Sequence, residues 1–137
     1  MAQSLATPIQ ARGDLDADAI TRTARDYIEG WYDGDAARME AALHPDLAKR
    51  IVSPSATPDG DRLDQMSALT LVQLTRHDPK PAHERRTDVT ILDRYENVAS
   101  VKVDAKDWID YMHMAKWNGQ WVIVNVLWEL RPEARTS

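Results

Sequence analysis

The chain has 137 residues, enough for one domain with a single core and too few for two stable ones. Its formal charge of −5, with Lys and Arg scattered rather than clustered, argues against nucleic acid as a partner, and the absence of cysteine excludes disulfides and thiolate metal sites. No stretch approaches the roughly 18 consecutive apolar residues of a membrane span, and residues 1–13 lack the basic start and apolar run of a secretory signal, so a cytoplasmic protein with no membrane partner is expected.

Residues 1–15 carry no sustained periodicity and read as a flexible arm before a single domain over 16–131, followed by a short tail over 132–137. From Asp16 a helical pattern sets in. Ile20, Ala24, Tyr27, Ile28 and Trp31 fall on one face, with Asp16 or Asp18 as the N-terminal cap and Gly34 as the stop. Asp35 can cap a second, shorter helix whose Met39, Ala42 and Leu43 share a face, and His44-Pro45 ends it because proline disfavours helical geometry in the residue before it. Residues 47–52 suit a short strand. Ser67 caps a third helix running to about Arg76, with Met66 and Leu71 spaced as a hydrophobic staple.

From Thr87 the period becomes two. Residues 88–93 and 98–103 read as strands, and Ala99, Val101 and Val103 face one way. The last unit, Asp107 to Leu130, is a hairpin closed by Asn118-Gly119, the strongest short-range signal for a two-residue type I′ turn. A regular ladder counted back from that turn sets Tyr111 opposite Val126 and His113 opposite Val124. It gives two faces: Ile109, Tyr111, His113, Val124, Val126 and Trp128 on one, Asp110, Met112, Met114, Trp121, Ile123 and Asn125 on the other. Neither reads as a solvated face, so each needs a cover. Helices first and a meander of strands last is an α+β order.

Tyr27-Ile-Glu-Gly-Trp31-Tyr-Asp-Gly34-Asp35, Leu43-His44-Pro45-Asp46, Ala99-Ser-Val101, Asp110-Tyr111 and Asn118-Gly-Gln-Trp121-Val-Ile-Val follow one another in an order that resembles the putative lumazine-binding family of the nuclear transport factor 2-like superfamily. The resemblance implies a cone-shaped fold in which about three N-terminal helices pack on a curved antiparallel sheet around a pocket. The family name records a suggested ligand rather than an established function. More distantly the chain is similar to ketosteroid isomerases and polyketide cyclases. The isomerases carry a tyrosine seven residues before a Gly-Asp pair, as Tyr27 stands before Gly34-Asp35, and pair it with a protonated aspartic acid in an oxyanion hole. The position matching their proton-shuttling carboxylate is Ile51. Matching Ile109-Asp110 as a dipeptide selects Asp110 for the oxyanion acid, whereas counting from the hairpin turn selects Tyr111; the turn fixes register physically and favours Tyr111.

With that fold, Tyr27, Trp31, Tyr111, His113, Val124, Val126 and Trp128 are expected to line an apolar, aromatic pocket, the alternative being an ordinary packed core. Met112, Met114, Trp121 and Ile123 are expected to meet a second subunit, with Asp110 and Asn125 able to pair across the two-fold axis, the alternative for Trp121 being to pack on a helix of its own subunit. The expected function is binding of a small apolar or aromatic ligand by a homodimer. The runner-up is a cofactor-free isomerase, dehydratase or cyclase acting on a cyclic carbonyl compound, with Tyr27 and Tyr111 polarising an oxygen and His113 moving a proton. His44, Asp46 and Arg50 form a polar cluster with too few ligands for a metal, so neither a metal nor a cofactor is expected.

Overall fold

The computed structural model describes residues 9–54 and 58–135, the side chains of 9–14 excepted. Helix α1 (Ile9–Asp33) begins seven residues ahead of the expected Asp16, so the arm read over 1–15 is helical from Ile9 and otherwise lies outside the described residues. Its apolar stripe is the one the spacing predicts: Ile20, Ala24, Tyr27 and Ile28 are buried, and Trp31 is half-buried. Gly34 stops it at φ +69°, where a Cβ would run into the His77 carbonyl oxygen. Helix α2 (Ala36–Ala42) follows at once, its first turn capped by the Asp35 carboxylate, which accepts from the Arg38 amide at 3.1 Å. The Arg38 guanidinium returns to Asp26 and Glu29 of α1 at 2.9 and 2.8 Å, clamping the two helices together.

Strand β1 (Leu43–Ser53) then runs from the end of α2, longer than the expected 47–52. The helix stops at Ala42, ahead of the expected His44-Pro45, so Leu43 and His44 belong to the strand; His44 Nδ1 accepts from the Asp46 amide at 3.0 Å, and Arg50 binds Gln65 at 3.0 Å and not Asp46. Strand β2 (Arg62–Ser67) pairs antiparallel with β1 and leads into helix α3 (Ala68–Leu74), where Ser67 accepts from the Thr70 amide as the N-cap. A 3-10 turn over Ala82–Glu84 precedes strands β3 (Asp88–Tyr95), β4 (Val98–Asp104), β5 (Trp108–Trp117) and β6 (Gln120–Leu130), and a last turn of helix, α4 (Pro132–Arg135), closes the description. The six strands lie in the order β2-β1-β6-β5-β4-β3. Only β1 and β6 pair in parallel; every other neighbour is antiparallel. The helices cover one face of this sheet.

The hairpin departs from the regular ladder in one place, and that place decides which side chains reach the interior. Asn118 and Gly119 have φ of +50° and +80°, as a type I′ turn requires, and the pairs Trp117 with Gln120 through Met114 with Ile123 keep the expected register. Between Met114 and His113 the ladder shifts: His113 pairs with Asn125, Tyr111 with Leu127 and Asp110 with Trp128. Val124 is the extra residue of a β-bulge, and one extra residue exchanges faces in everything beyond it on that strand. Inward-facing Trp121 and Ile123 are therefore followed by inward-facing Val126 and Trp128.

The helices cover the Met112 and Met114 face of β5, and this overturns two expectations. Tyr111 and His113 lie on the open face of the sheet, Tyr111 being 49% exposed, and Val124 shares a shallow outer groove with His113 and Ser100. Met112, Met114, Trp121 and Ile123 cannot form an interface between subunits, because they are the core of one chain, each no more than 5% exposed beneath the helices. Helix α1 seats itself on Trp121 directly: Thr23 donates to the Trp121 carbonyl at 2.9 Å, and the indole N–H of Trp121 donates to Asp16 at 3.2 Å.

Candidate functional site

Between the helices and the concave face of the sheet is a cavity of about 430 Å³. Its walls are Trp31 from α1, Met39 from α2, Met66 from β2, Leu71 from α3 and Trp128 from β6, and its partly exposed rim carries Lys80, Glu84 and Asp107. At the buried end lie Tyr27 and Lys49, 1% and 8% exposed. Of the residues expected to form a site, Tyr27, Trp31 and Trp128 line this cavity. Val126 is buried on the same side of the sheet without lining it, and Tyr111, His113 and Val124 are on the other side.

The polar centre of the site is a group of three. Lys49 is placed by the alternation of β1, which buries Leu47 and Lys49 and turns Ala48 and Arg50 toward the outer side. Its Nζ donates to the Tyr27 hydroxyl at 2.6 Å, lies 4.0 Å from Asp110 Oδ1, and sits 5.0 Å from the centre of the Trp128 ring. Asp110 is fully buried on β5 and accepts from the indole N–H of Trp108 at 2.7 Å through Oδ2, whereas no donor closes a hydrogen bond on Oδ1. The alternation of β5 sets Asp110 on the same inner face as Met112 and Met114, and the bulge on β6 brings Trp128 opposite it on that face.

Burial dominates the titration of all three groups. It pushes the Asp110 carboxyl above the usual carboxylate range, against the opposing pull of the Lys49 charge. It pushes the Lys49 ammonium below the usual lysine value, the Asp110 charge again opposing. The Tyr27 phenol is held well above its ordinary value by burial and then by the Asp110 charge, so it stays protonated. A desolvated carboxyl, amine and phenol in mutual reach can exchange protons with each other and with a bound molecule. Lys49 was not singled out from sequence, although a lysine between Leu47 and Ile51 on an apolar strand face was there to be read. Among the described residues, no three His, Asp or Glu side chains gather as a metal site would need, and no helix is long and apolar enough to cross a membrane.

The sequence profile of the family described as putative lumazine-binding matches residues 15–129, and the chain belongs to that family. Among solved structures, its fold is similar to an NTF2-like protein of unknown function from Shewanella baltica, with 20% identity and a TM-score of 0.70 over 93% of this chain and 98% of that one. It is also similar to one from Silicibacter pomeroyi, at 13% identity and a TM-score of 0.72 over 87% and 98%. A third, from Methylobacillus flagellatus, has 22% identity and a TM-score of 0.65 over 91% and 95%. No curated protein matches the chain. The fold is thus the α+β, nuclear transport factor 2-like one.

Proposed function

We propose that the chain is a small-molecule-binding domain whose ligand, a planar and largely apolar compound bearing a carbonyl or similar oxygen, occupies the cavity between the helices and the sheet. The observation that carries this reading is the pair Tyr27 and Lys49, backed by Asp110, at the end of an aromatic and methionine-lined cavity of about 430 Å³. Pockets of this size with a few convergent polar groups are the usual form of ligand sites. Trp31 and Trp128 would sandwich the ring, and the Lys49 ammonium and Tyr27 hydroxyl would orient its oxygen. A thermal-shift screen of planar carbonyl compounds tests it. A ligand present at about 100 times its dissociation constant should add about 2.7 kcal/mol to stability, and Trp128→Ala should remove the shift. A screen in which no compound distinguishes wild type from Trp128→Ala would sink the reading.

The domain is proposed to work as a homodimer through the open face of the sheet, in place of the face first expected. Val52, Leu63, Tyr111 and Leu127 lie there, 46 to 59% exposed, a density of apolar side chains that favours a partner. Sedimentation should report a dimer that Leu127→Glu dissociates; a monomeric wild type would contradict it.

A second reading, a cofactor-free isomerase, dehydratase or cyclase on a cyclic carbonyl compound, is favoured by one observation: Asp110, held toward its protonated form, shares the buried end with Tyr27. Proton exchange next to the carbonyl of a bound cyclic ketone, lost in Asp110→Asn with binding retained, would support it.

A further inference from the structure

Shape recognition of a planar ring does not require a buried amine. Trp31, Met39, Leu71 and Trp128 supply the apolar walls, and desolvating an ammonium among them is costly. Yet Lys49 Nζ stands at the deep end of the cavity, 2.6 Å from the Tyr27 hydroxyl, and its nearest carboxylate oxygen, Asp110 Oδ1, is 4.0 Å away and accepts no hydrogen bond. The spacing to Asp110 is looser than that of a charge-assisted hydrogen bond. A primary amine and a phenol at the buried end of an apolar cavity, with a carboxyl packed behind the amine, are the groups that condensation with a carbonyl needs.

Resting on the reading of this cavity as a small-molecule site, we propose that Lys49 forms an imine with an apolar aldehyde or ketone bound there. The Nζ lone pair attacks the carbonyl carbon, a C–N bond forms, and the π pair of the C=O bond moves to oxygen. One N–H proton passes to that oxygen by way of the Asp110 carboxyl, giving a carbinolamine. The remaining N–H proton then goes to the hydroxyl, whose C–O bond breaks as the C=N bond forms. Amine and carbonyl thus become imine and one water, with no oxidant or reductant. Burial lowers the proton affinity of Lys49 and so enlarges its nucleophilic free-amine fraction, while burial of Asp110 favours a carboxyl that can carry the proton.

The test uses the wild-type protein, naphthaldehyde and cyanoborohydride near neutral pH, which converts an imine to a stable secondary amine, followed by peptide mass mapping. Lys80, Lys102, Lys106 and Lys116 are references in the same sample, Lys80 at the rim of the same cavity. Lys49 should be labelled at least about tenfold faster than these, in keeping with a desolvated amine, and naphthylmethanol, which has the same ring but cannot condense, should slow labelling of Lys49 alone. Lys49→Arg, checked for folding by circular dichroism, should lose the fast labelling. Labelling of Lys49 no faster than the references overturns the proposal. If naphthylmethanol still raises the melting temperature in that case, the binding reading stands and imine formation alone falls; if it neither stabilises nor protects, both fall.

Discussion

Lys49 Nζ and Asp110 Oδ1 lie 4.0 Å apart with neither side chain more than 9% exposed, joining β1 to β5 across the intervening β6 beneath the cavity. Both partners are desolvated, and each is the other's nearest charge. Lys49→Met and Asp110→Asn should therefore each destabilise the fold by about 2 to 4 kcal/mol, while the double variant should lose less than the sum, with a coupling of about 1 to 3 kcal/mol. Urea denaturation of the four proteins measures this. Additive losses would mean that the pair does not interact.

The same burial sets opposite slopes of stability against pH. Asp110 has a raised folded-state pKa, so its contribution is fully present below its unfolded value of about 4 and is lost as pH rises through the folded value. Asp16, which accepts from the Trp121 indole and from Lys116, has a lowered one, so its contribution is present above about 4 and is lost as pH falls through the folded value. Relative to wild type, Asp110→Asn should gain stability as pH rises from the acid range, and Asp16→Asn should gain it as pH falls. Chemical denaturation over that range checks both signs, and identical pH profiles for the two variants would contradict the assignment.

Gly34 and Gly119 separate backbone strain from crowding. Both have positive φ, but a Cβ at Gly119 meets open space and one at Gly34 meets the His77 carbonyl. Gly119→Ala should cost about 1 to 2 kcal/mol, the conformational term alone, and Gly34→Ala clearly more, because the connection after α3 has to move. Equal losses in denaturant midpoints would show that the loop at His77 is free to give way.

Which face of β5 the helices cover can be tested without a ligand. His113→Ala removes an exposed side chain and should change stability by no more than about 0.5 kcal/mol, whereas Met112→Ala, one residue away and 1% exposed, should cost about 2 to 5 kcal/mol. If the helices covered the His113 face of β5, as the expected pocket requires, His113→Ala would be the costly one of the two.

Much of the fold could be read from the residues. The apolar spacing from Ile20 to Trp31, the caps Asp35 and Ser67, the alternation of β4 and the Asn118-Gly119 turn are local signals, and local physics decides them. The site was harder because it depends on one residue of phase. Residues 121–124 are all apolar and 122, 124, 126, 128 and 130 continue an even apolar series, so the residues themselves do not mark the bulge at Val124. A regular count groups Val126 and Trp128 with Tyr111, whereas the bulge sets them on the face of Asp110, the residue the dipeptide match selects, and the helices cover that face. The role of Lys49 is not legible in the sequence because its partners, Tyr27 and Asp110, lie 22 and 61 positions away and only the assembled sheet brings them together.

The central claim is that a small molecule enters the cavity and reaches its buried end. Methionine methyl resonances report on it most directly, since Met39 and Met66 line the cavity, while Met112 and Met114 are packed in the core without lining it. In isotope-labelled protein titrated with naphthylmethanol, the Met39 and Met66 signals should shift and saturate together, with Met112 and Met114 moving far less, and Trp128→Ala should weaken the response. Saturating shifts confined to Met112 and Met114, or no saturable shift at Met39 and Met66 with any planar carbonyl compound or its alcohol, would contradict it.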